Sequence, residues 1–123
     1  MNYQKLWLWQ YSLDIAIEIM EAFQHSKNFS FKDQVFRSAI SIPSNIAEAM
    51  TRDTPADRRR ILYYAIGSCA ELDTQLQIAL RLKWIETKQR EQWRRALRQI
   101  YVGLHRLRGK LEQSRDASSA RRL

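Results

Sequence analysis

Trp93, Leu97, Ile100, Leu104, Leu107 and Leu111 recur at alternating intervals of four and three residues. That spacing returns an apolar side chain to one helical face at every turn, whereas a strand alternates its faces every two residues. A long C-terminal helix follows, and other helices must cover its seam. Three upstream segments carry the same kind of pattern.

The first helix is expected from about Gln4 to Gln24, with Leu6, Trp9, Leu13, Ala16, Met20 and Phe23 on one stripe. A second stripe of Leu8, Ile15, Ile19 and Ala22 makes the apolar surface wider than one core needs. Part of it is therefore expected at an oligomer interface, with Trp7, Tyr11 and Ile15 as its candidates.

His25 to Asn28 reads as a loop, and Ser30 with Asp33 resembles a capping box opening a second helix that reaches about Thr51. Thr54-Pro55-Ala56-Asp57 is a stronger start signal, with Thr as cap and Pro in the first turn. The third helix is expected to run to about Trp84, burying Leu62, Ala65, Cys69, Leu72, Leu76 and Ala79. Thr87 is expected to cap the fourth.

Three glycines and two prolines in 123 residues are too few for the turns of an all-β fold. The expectation is all-α: an antiparallel up-down four-helix bundle over residues 1–114, followed by a flexible basic tail over 115–123. No segment reads as a signal peptide or a membrane span, and the single cysteine fits a reducing compartment. A cytoplasmic protein with no membrane partner is expected.

Charge is unevenly placed. Residues 1–87 balance ten basic side chains against ten acidic ones, while 88–123 hold eleven against three, so the formal charge of +8 sits in the last segment. Arg90, Arg94 and Arg98 are expected along one line of the fourth helix, with Arg95, Arg106, Arg108 and Lys110 beside it. Arginine-rich surface suits phosphate and points to nucleic acid; a solvated helix face is the plainer alternative. Neither a recognition-helix motif nor an exposed aromatic platform is evident.

Other chemistries find little support. His25 and His105 lack the Glu-x-x-His spacing of di-iron bundles, so no metal is expected. Cys69 falls on the apolar seam as a buried thiol, and no cofactor or catalytic set emerges. Gly67, beside Ala65, Ser68 and Ala70, is expected to admit a close neighbouring helix. Pro43 sits inside a helical pattern, where a kink or specific contact is expected. The polar stripe of Arg37, Ser41, Ser44, Asn45, Glu48 and Arg52 reads as a solvated face with a Glu48–Arg52 pair, or as phosphate or channel-lining groups.

Two stretches carry a family resemblance. Residues 37–48, RSAISIPSNIAE, resemble a "RAAxSIPSNIAEG" signature, with Ala49 where the glycine usually stands. Residues 66–79, IGSCAELDTQLQIA, resemble a "GSxxELxTQLxxA" signature. Both are similar to the four-helix-bundle proteins encoded in intervening sequences of bacterial 23S rRNA genes, which are related to the accessory variability determinant proteins of diversity-generating retroelements. The motif residues here are Arg37, Ser41, Pro43, Ser44, Asn45, Glu48, Gly67, Glu71 and Gln75. The resemblance implies a homopentameric barrel, and in the retroelement relatives a reverse transcriptase and nucleic acid as partners. It supplies no catalytic residue.

Together these readings lead to an expected non-enzymatic homo-oligomer that binds nucleic acid, RNA favoured, through the fourth helix. A protein-interaction adaptor, for example an accessory subunit of a reverse transcriptase, is the alternative.

Overall fold

The computed structural model describes residues 2–121 and the side chains of residues 2–112. A 3-10 turn over Tyr3–Lys5 leads into α1 (Trp7–Phe23), α2 (Phe29–Thr51), α3 (Pro55–Arg81) and α4 (Thr87–Arg121). There is no strand among the described residues. The expected flexible tail falls where side chains are not described, and residues 122–123 lie outside the described residues.

Each helix packs on its neighbours in the chain, and α4 returns to α1, whose contact with it is the sparsest. Phe23 at the end of α1 meets Phe31 at the start of α2 and Trp93 near the start of α4. Phe31 in turn meets Trp84, just beyond α3. Two helix ends and two helix starts therefore share one pole, which is up-down-up-down connectivity. The core takes the expected seams of α3 and α4, with Leu62, Leu72, Leu76, Ile100 and Leu104 fully buried. From α2 it takes Val35 and Ile46, and from α1 mainly the second stripe, Leu8, Ile15 and Ile19. Leu6, Trp9, Leu13 and Met20 of the first stripe are only partly buried. Each fully buried side chain contributes on the order of 2 kcal/mol of apolar transfer.

Helix ends account for most departures from expectation. Leu6 is extended, so the regular helix begins at Trp7 rather than near Gln4. Ser30 lies inside α2; the preceding Asn28 gives no side-chain cap, and its carbonyl accepts from the Lys32 amide at 2.9 Å. The Thr54 cap forms as expected, its hydroxyl accepting from the Asp57 amide at 3.2 Å.

α3 stops at Arg81 because Lys83 adopts a left-handed conformation (φ 63°). The Trp84 amide then reaches back to Ala79 O at 2.9 Å and the Lys83 amide to Leu80 O, a Schellman closure with lysine where glycine is usual. Thr87 is the first residue of α4, not its cap; Glu86 precedes it and donates its amide to Gln89 Oε1 at 2.9 Å.

The glycines exchange roles. Gly67 is exposed, and a Cβ there would meet nothing within 4 Å, so no other helix among the described residues approaches it. The close approach is at Gly103, where a Cβ would lie 2.5 Å from Leu8 Cδ2. Gly103 is what lets α4 close onto α1.

Candidate nucleic-acid interface

The sequence places eleven basic side chains after residue 87, but the fold sorts them into different environments. Arg90 does not join the expected surface line. It is 4% exposed, with Nη2 2.9 Å from Asp73 Oδ1 and Nε donating to Gln77 Oε1 at 3.1 Å, so it ties α4 to α3. Arg108 is also partly withdrawn. Its Nε donates to the Arg59 carbonyl at 3.1 Å, and its guanidinium lies 5.0 Å from the Tyr63 ring centre.

Arg94, Arg95, Arg98, Arg106 and Lys110 are exposed as expected. Arg94 pairs with Glu91 at 2.9 Å. Arg95, Arg98 and Arg106 make no ion pair with a described residue. They form a ridge with a groove on either side. The α3–α4 groove, of about 590 Å³, is floored by Cys69 and Leu97 and walled by Asp73, Arg94, Arg98 and Tyr101. The α4–α1 groove, of about 400 Å³, sets Trp7 and Val102 against Arg95, Arg98 and Arg106.

Two aromatics thus flank the ridge: Trp7 is 53% exposed and Tyr101 43%. The sequence contains the signal for Tyr101, which follows Arg94 and Arg98 at intervals of four and three, and so shares their helix line. Nothing in the sequence predicts Trp7 beside α4, because that depends on how α1 and α4 cross. Burial pushes the Cys69 thiol up to about 12, and the Asp73 charge adds to the effect. The thiol is an apolar floor and holds its proton.

The family-signature residues converge elsewhere. Arg37, Ser41, Ser68, Glu71 and Gln75 line a polar cleft between α2 and α3. Ser68 Oγ donates to Ser41 Oγ at 2.8 Å, and Asn45 Nδ2 donates to Ser41 Oγ at 2.8 Å. Gln75 Oε1 is buried there without a partner among the described residues. Glu48 and Arg52 form the expected pair at 2.6 Å. Pro43 is buried without interrupting α2; with Ser44 it faces Trp9, Leu13 and Ala16 of α1.

Of the oligomer candidates, Trp7 is exposed and Tyr11 is half-buried against the core, their rings 5.2 Å apart at 69°. Ile15 is only 9% exposed and belongs to the core, because it turns inward with Ile19. Among the described residues no cluster of three His, Cys, Asp or Glu side chains is placed to hold a metal. No helix among them is long and apolar enough to cross a membrane.

The fold and this surface define a four-helix-bundle protein with a basic, groove-flanked face. The chain belongs to the 23S rRNA-intervening sequence protein family, whose model matches residues 4–106. It is also similar to a solved structure from Bacteroides thetaiotaomicron VPI-5482, a protein of unknown function from the S23 ribosomal protein family. That likeness has a TM-score of 0.77 at 25% identity and covers 82% of this chain and 97% of that one. No curated protein matches.

Proposed function

We propose that this chain is a non-enzymatic, cytoplasmic nucleic-acid-binding protein, with RNA favoured, that reads phosphates through the exposed ridge of α4. The observation that carries the reading is that Arg95, Arg98 and Arg106 stand exposed on one helix without an acidic partner among the described residues. Unneutralised cations in a row attract a polyanion and release its counterions on contact, a drive that falls steeply with salt. The ridge is too short for high affinity alone, so repetition by self-association would multiply it.

Homo-oligomerisation is part of the proposal, with five copies implied by the family resemblance. Trp7 at 53%, Ile17 at 43% and Ile40 at 47% exposure support it, as apolar surface that a second copy would cover. The same side chains support the second reading, an adaptor for another protein such as a reverse transcriptase.

The test is titration of labelled structured RNA at several salt concentrations, followed by anisotropy. Binding that weakens linearly in log–log form with salt is expected. No binding at low salt would overturn the proposal and leave the adaptor reading.

A further inference from the structure

The α3–α4 groove has features that a bare phosphate site does not need. Its floor is apolar, made by Cys69 at 2% and Leu97 at 3% exposure. One wall presents the exposed ring of Tyr101, which also makes an edge-on stack with His105 at 4.6 Å between ring centres. The opposite wall presents a carboxylate, Asp73, which repels phosphate.

Asp73 is held from behind. Its Oδ1 receives Nη2 of the buried Arg90 at 2.9 Å, while the side chain remains 46% exposed on the groove side. Neither Arg94 nor Arg98 comes within ion-pair distance of it, although both line the same groove. A carboxylate has about four acceptor positions, so Asp73 retains capacity for N–H donors arriving through the groove. The volume of about 590 Å³ is in the range of small-molecule sites and admits a purine.

We infer that this groove seats one unpaired guanine of a strand bound on the α4 ridge, an inference that rests on the nucleic-acid reading above. Guanine is the base whose Watson–Crick edge offers two adjacent donors, N1–H and the N2 amino group, to a single carboxylate. Adenine and cytosine offer one amino donor beside an acceptor, and uracil one N–H between two carbonyls. Tyr101 supplies a face for stacking, and Arg94, Arg95 and Arg98 hold the flanking phosphates. In a duplex that edge is already paired, so the groove selects single strands.

The test compares three labelled RNAs: a 12-nucleotide all-uridine strand, the same strand with one central guanine, and the guanine strand annealed to its complement. The protein is expected to bind the guanine strand about tenfold tighter than the other two. Ala70 also lines the groove, so Ala70→Trp fills it without changing a charge, and the two single strands are expected to bind this variant alike. Tyr101→Ala, at an exposed position, is expected to narrow the difference and carries the test if Ala70→Trp fails to fold.

Equal binding of both single strands by the unaltered protein would overturn the guanine site while leaving the phosphate reading intact. A preference retained in both variants would also overturn it. Binding of none of the three RNAs at low salt would overturn both readings together.

Discussion

Arg90 sets its Nη2 2.9 Å from Oδ1 of Asp73, and the two side chains are unequally buried, 5% exposed against 46%. The inequality decides which partner is harder to lose. Removing Asp73 strands a guanidinium that water cannot reach, whereas removing Arg90 leaves a carboxylate that water can. Asp73→Ala is therefore expected to cost about 3 kcal/mol, lessened somewhat by the surviving Gln77 bond, and Arg90→Met distinctly less. Denaturant unfolding of both variants measures this, and equal losses would contradict it.

Gly67 and Gly103 should respond oppositely to alanine. At Gly67 the new methyl meets nothing within 4 Å, so improved helix propensity should stabilise by roughly 0.5–1 kcal/mol. At Gly103 it collides with the buried Leu8, and overpacking should destabilise by about 1–2 kcal/mol after the propensity gain. Thermal melts of the pair give the two signs. A loss at Gly67 would show that another chain approaches there.

Cys69 provides a pH signature. Its folded pKa is raised from 9.0 to about 12, so the folded state keeps a proton that the unfolded state releases. The contribution is complete below pH 9 and is lost as pH rises toward 12. Over pH 9 to 10.5, the stability advantage of the natural protein over Cys69→Ala should shrink by about 1.6 kcal/mol. Denaturation at a series of pH values checks this; a constant difference would contradict it.

Trp7 is exposed and stacks edge-on against the half-buried Tyr11. If self-association buries it, Trp7→Glu should reduce the particle mass measured by light scattering without loss of helix content. An unchanged mass would remove this pair from the interface.

The bundle was legible because the apolar spacing of Trp93 to Leu104 and of Leu62 to Ala79 reports burial directly. Helix ends were less legible, since Lys83 closes α3 in a conformation that its residue type does not announce. Arg90 illustrates the limit for sites. Its spacing from Arg94 and Arg98 suggested one exposed line, yet on the helix it also borders the apolar seam. Asp73 and Gln77 on α3 then provide the partners that make its burial tolerable, and no local pattern reveals that match. Tyr101 could be read from its interval to Arg94 and Arg98, while Trp7 required the α1–α4 crossing that Gly103 permits.

The most direct measurement compares the salt dependence of RNA binding between the natural protein and an Arg95→Gln, Arg98→Gln, Arg106→Gln variant. If each arginine holds one phosphate, the log–log slope should become shallower by about 2, with affinity falling most at low salt. A variant with unchanged slope and affinity would contradict the account, because the α4 ridge would then be solvated surface.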